Sequence, residues 1–218
     1  MQINLNSPYT PEVVVVANGD LHHDEETLRL RLLQVAPHVV VCDGALRRYL
    51  ELTSRKPDAV VGDGDSVNEE ELKRAGVPFT KIADQETNDL TKGVTFAFDK
   101  GWKKIAIIGA TGRREDHSVG NIFLLPEYYK MGAEVLAITP HGWLIPFQGD
   151  CLLETEVGRE LSLFATKELP MSASGVAYPF EQRVFTALWQ ATLNQVTSPI
   201  VKLYSEGIAI VFISQEKR

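Results

Sequence analysis

Two aspartates separated by a single glycine stand at the end of an apolar run, in the segment VVGDGDSV at residues 60–67. Two carboxylates about 4 Å apart repel each other by roughly 4 kcal/mol at an effective dielectric constant near 20. A helix cap or a turn would use only one carboxylate, so the pair Asp63 and Asp65 indicates a bound cation. Mg²⁺ suits such a site because it binds a few carboxylates together with water and phosphate oxygens.

A second segment, GATGRREDH at residues 109–117, carries the opposite charge. Gly109 and Gly112 permit a tight turn whose N–H groups face an anion at the start of a helix. Arg113 and Arg114 supply guanidinium groups that fork onto phosphate oxygens. No Gly-Lys-Ser/Thr triplet follows the glycines, so the segment is not a Walker loop. The alternative interpretation is a basic turn that faces solvent.

The elements that position these segments are short β-rich runs alternating with helix signals, which predict a parallel α/β sheet. The predicted strands are VVVVA (13–17), VVVC (39–42), AVVG (59–62), KIAIIG (104–109) and AEVLAIT (133–139). Helices are expected from Asn68 to Gly76, from Thr87 or Asn88 to Asp99, and from Asp116 to Lys130. Pro126 is expected to kink or split the last of these helices.

Polar residues follow each predicted strand, and the carboxyl ends of parallel strands meet at one edge of a sheet, where ligands bind. Asn18 and Gly19 follow the first strand, Asp43 follows the second, and the aspartate pair follows the third. The segment DQETNDLTK at residues 84–92 brings further acidic groups before the fourth strand. The sequence therefore predicts a cation and phosphate site at this edge.

After about residue 140 the chain changes to short strand-like segments with turns: WLIPF, CLLETEV, ELSLFAT, GVAYPF and ALWQATLNQ. Two final runs, IVKLYS and IAIVFIS, are expected to form a hairpin through Glu206 and Gly207. The expected fold class is therefore α/β, with a Rossmann-like parallel-sheet domain over residues 1–140. A smaller antiparallel β-sandwich is expected over residues 141–218.

Composition restricts the classes of partner. The 218 residues include 29 acidic and 22 basic side chains, a net charge of −7, which argues against nucleic-acid and anionic-membrane binding. The two cysteines, Cys42 and Cys151, suggest neither a disulfide framework nor a metal site. With no basic, apolar leader and no membrane-length apolar run, we expect a cytoplasmic protein with small-molecule ligands.

Four segments, in the order CDGALRRYL, VVGDGDSV, DQETNDLTK and GATGRREDH, resemble the motifs of the thiamine pyrophosphokinase family. The resemblance covers nearly the whole chain, since the family joins an α/β nucleotide-binding domain to a C-terminal β-sandwich. It implies transfer of pyrophosphate from ATP to the hydroxyl of thiamine, giving thiamine diphosphate and AMP. It also implies Mg²⁺ and a homodimer.

The resemblance assigns roles to residues of this sequence. Those implied for catalysis are Asp43, Asp65 and Asp89, with Asp65 or Asp43 accepting the alcohol proton, and those implied for metal binding are Asp63, Asp65 and Asp89. Those implied for binding the nucleotide are Gly112, Arg113, Arg114, Asp116 and His117. The positions of Asn18, Gly19 and Gly109 after the predicted strands add these three to the same set. Those implied for thiamine are Tyr178, as a stacking ring, with Thr192 and Asn194.

The sequence departs from the family pattern at several positions. Arg113 and Ala45 replace glycines, Asn88 replaces a threonine and Glu86 replaces an aspartate. Ala191 and Leu193 stand where serines that help to form the thiamine pocket are usual.

Alternatives stay open. One is another Mg²⁺-dependent pyrophosphokinase or a phosphohydrolase with a different acceptor. Another is a nucleotide-binding or thiamine-binding regulator without turnover. Tyr178 and Trp189 could equally be core aromatics of the β domain.

Overall fold

The computed structural model describes residues 1–21 and 28–217. The strands are β1 Gln2–Asn4, β2 Val13–Val16, β3 His38–Cys42, β4 Ala59–Gly62, β5 Phe79–Lys81, β6 Lys104–Ile108, β7 Glu134–Ile138, β8 Gly142–Glu154, β9 Arg159–Ala165, β10 Pro170–Ser174, β11 Phe180–Val184, β12 Asn194–Gln195 and β13 Ile200–Lys217. The helices are α1 Leu28–Val35, α2 Leu46–Leu52, α3 Glu69–Ala75, α4 Asp89–Asp99 and α5 Glu115–Lys130, and a 3-10 turn at Asp43–Ala45 precedes α2.

The chain divides into two compact units, one of them Thr10–Pro140. This unit holds a parallel sheet with the strand order β7-β6-β2-β3-β4-β5, which confirms the predicted α/β class. The valines of β2 are fully buried, as expected for a strand that is covered on both faces. The chain runs outward in one direction from β2 to β5 and in the other from β6 to β7. The switch point between β2 and β6 is where such sheets bind ligands.

The helix starts and stops follow the capping chemistry of the sequence. The Asn68 side chain accepts a hydrogen bond from the Glu71 N–H, and α3 ends at Gly76 with φ of 68°. Asn88 caps α4 in the same way through the Thr91 N–H.

We expected Pro126 to kink or split its helix, and the helix is not split there. Helix α5 runs unbroken from Glu115 to Lys130 with Pro126 inside it. Pro126 and its neighbour Leu125 are buried. Burial of this turn against the rest of the unit offsets the one backbone hydrogen bond that proline cannot donate.

The other unit comprises Met1–Tyr9 and His141–Arg218. Its long strands β8 and β13 pair antiparallel, and β13 also pairs with β9 and β10, which confirms the predicted antiparallel C-terminal region. The segment ALWQATLNQ, predicted to be strand-like, contributes only the two-residue strand β12.

The predicted hairpin at Glu206 and Gly207 is wrong, because both runs belong to the single strand β13. Both runs pair with β8 in the same direction, and the register shifts between Ser205 and Ala209. A two-residue hairpin needs positive φ in its turn. The positive φ in this region is at Gly149 of the facing strand, at 69°, so the sheet forms a bulge and does not reverse.

The N-terminal residues also require a correction. We assigned residues 1–140 to the first unit, but β1 pairs with β8, so the first nine residues belong to the second unit. In the described part of the chain, no helix combines the length and apolarity needed to cross a membrane.

Candidate functional site

The loops that follow β2 and β6 are hydrogen-bonded to each other at the switch point of the sheet. The Gly19 N–H donates to the Gly109 carbonyl at 2.6 Å, and the Asp20 N–H donates to the Thr111 carbonyl at 2.7 Å. A Cβ atom at Gly19 would lie 2.2 Å from the Gly109 oxygen, so only glycine permits this approach. These bonds hold two of the predicted ligand-binding loops side by side.

A cavity of about 450 Å³ opens at this point. Six of the residues predicted for the site line it: Asn18, Gly19, Asp89, Arg113, Arg114 and His117. Ala17, Cys42, Leu90 and Ala110 add apolar wall. A pocket with apolar walls and a few convergent polar groups is typical of a small-molecule site.

Three carboxylates converge at the same edge of the sheet. Among the described residues, Asp43, Asp63 and Asp89 form a group whose ligand oxygens all lie within 4.8 Å of one another. Asp43 follows β3, Asp63 follows β4 and Asp89 begins α4. The parallel sheet and the start of α4 therefore bring together side chains up to 46 positions apart in the sequence.

Asp43 is held in place by backbone amides. Its carboxylate accepts hydrogen bonds from the Gly44 N–H at 2.6 Å and the Gly64 N–H at 3.0 Å. Burial, and next the charge of Asp89, raise the pKa of Asp43 to about 6. A Cβ atom at Gly62 would lie 2.2 Å from the Asp43 carboxyl carbon. The absence of a side chain at Gly62 therefore makes room for this carboxylate.

Lys92 supplies a positive charge to the acidic group. Its side chain is 2% exposed, and its ammonium lies 2.9 Å from Asp63 Oδ2 and 3.3 Å from Asp89 Oδ1. The hydrogen bond from Lys92 is the main reason that the pKa of Asp63 is lowered. Lys92 comes one turn after Asp89 on α4, so the helix positions both groups on one face.

The carboxylate group fits one divalent cation. Opposite oxygen ligands of Mg²⁺ are about 4.2 Å apart, since each metal–oxygen distance is about 2.1 Å. The oxygens of Asp43, Asp63 and Asp89 lie within 4.8 Å of one another, which is close to this spacing. Three carboxylates and one ammonium leave a formal charge that a single divalent ion balances.

Asp65, which we predicted to be a metal ligand, lies outside this group. Its side chain is exposed, and its backbone N–H donates to Asp63 Oδ1 at 3.1 Å. The structure thus brings Asp43 into the acidic group beside Asp63 and Asp89.

The glycine and arginine loop takes the backbone form that the sequence requires. Gly109 and Gly112 have φ of 69° and 99°. The Arg114 guanidinium donates to both carboxylate oxygens of Asp116, at 3.1 and 2.5 Å, so Asp116 neutralises this arginine. This pairing lowers the pKa of Asp116. Arg113 reaches back to Asn18, with its Nη1 3.2 Å from Asn18 Oδ1.

Sequence reasoning missed two side chains of the site, Asn121 and Lys92. Asn121 of α5 donates to the Ala110 carbonyl at 2.8 Å, and its own side-chain oxygen accepts from Asn88 at 2.9 Å. In the sequence analysis Lys92 was only the last residue of the segment DQETNDLTK and had no role assigned to it. The signal for it was the spacing of three residues from Asp89.

The second unit gathers the residues predicted for thiamine. Tyr178, Thr192 and Asn194 all line a cavity of about 240 Å³. Tyr178 is 73% exposed, so it is not a core aromatic, and Trp189 is equally exposed. Asn194 is buried and holds the backbone of Tyr178, accepting from its N–H at 3.0 Å and donating to its carbonyl at 2.8 Å. Asn194 therefore supports the backbone that carries the tyrosine ring.

Both cysteines are free and buried. Burial raises the pKa of the Cys42 thiol strongly and the pKa of the Cys151 thiol to about 11. Since the thiolate is the reactive form, we expect neither thiol to react with a disulfide reagent at pH 8 in the folded protein. Both should react once denaturant is added. Rapid labelling of Cys42 in the native protein would contradict its burial in the cavity wall.

Fold and site define a doubly wound α/β protein with a small-molecule site at the carboxyl edge of its sheet, followed by an antiparallel β unit. The family model for the thiamin pyrophosphokinase catalytic domain matches residues 30–137, and the model for the thiamin pyrophosphokinase substrate-binding domain matches residues 142–212. The chain belongs to the thiamin pyrophosphokinase family, as the four sequence motifs predicted.

Individual relatives agree. Over 121 residues the chain is 34% identical to a thiamine pyrophosphokinase 3 of Oryza sativa subsp. japonica, a match that covers 51% of this chain and 39% of that protein. Solved structures of thiamin pyrophosphokinases have the same fold. That of Bacillus subtilis has a TM-score of 0.75 at 23% identity, covering 94% of this chain and 99% of its own. That of Candida albicans has a TM-score of 0.79 at 16% identity, with coverages of 99% and 93%.

Proposed function

We propose that this chain is an ATP-dependent thiamine pyrophosphokinase that makes thiamine diphosphate and AMP. The observation that carries the proposal is the convergence of Asp43, Asp63 and Asp89 within 4.8 Å at the ligand edge of the sheet. Membership of the thiamin pyrophosphokinase family supports the choice of substrates.

The reaction joins the hydroxyl oxygen of thiamine to the β-phosphorus of ATP. The bond from the β-phosphorus to the oxygen that bridges it to the α-phosphorus breaks, and AMP leaves with that oxygen. The hydroxyl proton passes to a protein group. Such a transfer needs in-line positioning and neutralisation of phosphate charge more than covalent chemistry by the protein.

Asp43, Asp63 and Asp89 would hold Mg²⁺, which when bound neutralises charge on the phosphate oxygens. Arg113, Arg114 and the N–H groups of the turn at Gly109–Gly112 line the path of the triphosphate. The apolar wall of the 450 Å³ cavity suits the base and ribose of the nucleotide.

Asp65 is the better placed of the two carboxylates proposed as proton acceptor. Asp43 is buried and accepts two backbone hydrogen bonds, whereas Asp65 is exposed beside the acidic group. A general base has to reach the alcohol as well as accept its proton. We assign the proton to Asp65.

We place thiamine beside Tyr178 in the second unit. Stacking of a cationic ring on tyrosine contributes about 0.5–2 kcal/mol, so Tyr178→Ala should raise the KM for thiamine by roughly 2- to 30-fold. The KM for ATP should not change. Tyr178→Phe keeps the ring face and is the matched control, with a KM close to that of the wild type. Equal KM values for all three proteins would remove Tyr178 from the thiamine site.

We place the reaction in the cytoplasm because both cysteines are unpaired, which suits a reducing compartment. A homodimer is part of the proposal. The exposed apolar side chains Trp189 and Leu193, at 73% and 75% exposure, provide surface that a second copy could cover.

The direct test is incubation with thiamine, ATP and Mg²⁺, followed by mass detection of the products. Thiamine diphosphate and AMP in equal amounts support the proposal. ADP or free phosphate would indicate a kinase or a phosphohydrolase with another acceptor. Binding of both ligands without any product would indicate a regulator.

A further inference from the structure

Two arginines from different elements converge on one neutral side chain, Asn18. Arg48, on α2, donates from Nη1 to Asn18 Oδ1 at 2.9 Å, to the Asn18 carbonyl at 3.2 Å and to the Gly19 carbonyl at 3.3 Å. Arg113, in the loop after β6, donates from its own Nη1 to Asn18 Oδ1 at 3.2 Å. Both Nη1 atoms bind the same oxygen, so the distance between them is at most the sum of the two hydrogen-bond lengths, 2.9 and 3.2 Å.

This arginine pair has no ion-pair partner among the described residues, and Glu51 and Asp20 act on Arg48 only from longer range. In the described part of the chain, neither Arg48 nor Arg113 has an acidic group within ion-pair distance, and their hydrogen bonds go to neutral oxygens. Burial, and next the charge of Arg113, lower the pKa of Arg48. Two like charges held together in this way favour an anion beside them.

The pair also lies where two cavities meet. A second cavity, of about 520 Å³, has the basic residues Arg47, Arg48 and Arg113 and the acidic residues Asp43, Glu51 and Glu71 in its lining. It shares Asn18, Ser66 and Arg113 with the 450 Å³ cavity proposed for the nucleotide. An anion at the arginine pair would thus extend from the nucleotide cavity toward the wall that carries Asp43.

We propose that Arg48 and Arg113 together bind one phosphate group of the polyphosphate tail of a nucleoside triphosphate. A phosphate that makes charge-assisted bonds of about 2.8 Å to each nitrogen spans the separation of the pair. The neutral Asn18 keeps the guanidinium groups in place without cancelling their charge. The inference rests on the proposed function, because it takes the ligand to be a nucleotide.

The test is equilibrium binding of three probes, ATP, inorganic tripolyphosphate and adenosine, measured by calorimetry with Mg²⁺ at low salt. Arg48→Gln should weaken ATP and tripolyphosphate by about 10- to 100-fold, the range for losing a hydrogen bond to a charged group. Adenosine binding should stay unchanged. Salt should weaken ATP binding less in this variant than in the wild type.

Arg47→Gln is the matched control. Arg47 precedes Arg48 on α2 and lines the same cavity, but its guanidinium pairs with Glu51 at 3.3 Å and its side chain is 77% exposed. We expect ATP affinity within about twofold of the wild type, since exposed ion pairs contribute little. A loss equal to that of Arg48→Gln would overturn the inference, because the effect would then be one of general charge.

Further variants guard against misfolding. Arg48 also holds the turn at Asn18, so thermal melting is measured for each protein. If Arg48→Gln does not fold, Arg48→Lys and the exposed Arg113→Gln carry the test, and each should weaken tripolyphosphate at least severalfold. Wild-type affinity in the folded variants, or an equal loss of adenosine, would overturn the inference.

These binding experiments need neither thiamine nor turnover, so they separate the two proposals. Loss of ATP binding in Arg48→Gln, with no thiamine diphosphate made by the wild type, would leave the arginine pair standing and remove the proposed function. Thiamine diphosphate synthesis by the wild type, with unchanged ATP binding in Arg48→Gln, would support the proposed function and overturn the inference about the arginine pair.

Discussion

Replacing Asp89 by asparagine should lower the turnover number for thiamine diphosphate synthesis by about 10³-fold. Metal stabilisation of a phosphoryl-type transition state is worth several kcal/mol, and each 1.36 kcal/mol is a factor of ten in rate. Asp89 is one of three carboxylates within 4.8 Å, so the asparagine should also weaken Mg²⁺ binding. Steady-state rates and a Mg²⁺ titration measure the two effects.

Two further variants sharpen this experiment. Glu70→Gln removes an exposed acidic group from the first turn of α3 and should leave both quantities unchanged. Asp65→Asn should lower turnover by about 10²- to 10⁴-fold, as expected for a lost general base, while Mg²⁺ affinity stays near that of the wild type. Undiminished turnover in Asp89→Asn would remove the acidic group from the reaction. Weak Mg²⁺ binding in Asp65→Asn would make Asp65 a metal ligand after all.

Lys92→Met should destabilise the metal-free protein by about 3 kcal/mol. This is the lower end of the cost of breaking a buried ion pair, because Asp63 and Asp89 keep 19% and 35% of their side chains exposed. Mg²⁺ should restore part of the loss, since the cation supplies the charge that the methionine lacks. Urea unfolding with a chelator, and again with Mg²⁺, gives the free energies of unfolding.

Lys130→Met is the control for Lys92. Lys130 also forms a lysine–carboxylate pair at three residues' spacing, with Glu127 at 2.7 Å, but its side chain is 54% exposed. We expect a loss below about 1 kcal/mol that does not depend on Mg²⁺. The same stability for Lys92→Met and the wild type without metal would show that Lys92 does not offset the repulsion between the carboxylates.

The sequence predicted the α/β unit well because its main strands are continuous apolar runs with polar residues at their carboxyl ends. It did not predict β5, since the three residues Phe79–Lys81 are too few to show a periodicity. Nor did it predict that β1 pairs with β8, because pairing between such distant segments leaves no local signal. Glu206 and Gly207 suggested the turn of a hairpin, but they lie in a bulge within the single strand β13.

The sequence predicted the location of the acidic site, at the carboxyl edge of the sheet, but not all of the residues that form it. VVGDGDSV drew attention to the neighbouring pair Asp63 and Asp65, whereas the structure groups Asp63 with Asp43 and Asp89. Asp43 joins the group because the Gly44 and Gly64 N–H groups hold its carboxylate in place. Every residue type except proline has a backbone N–H, so the sequence does not show which amides will bind a side chain. The buried partner Lys92 was also missed, because its spacing of three residues from Asp89 does not by itself show that the lysine is buried.

The missing side chain at Gly62 has an evolutionary consequence. Any larger residue would overlap the Asp43 carboxyl group, so we expect position 62 to accept no substitution. This holds although glycine has no functional group of its own. A change at either position would require compensation at the other. Engineers who wish to reshape this part of the protein must therefore treat Asp43 and Gly62 as a single unit.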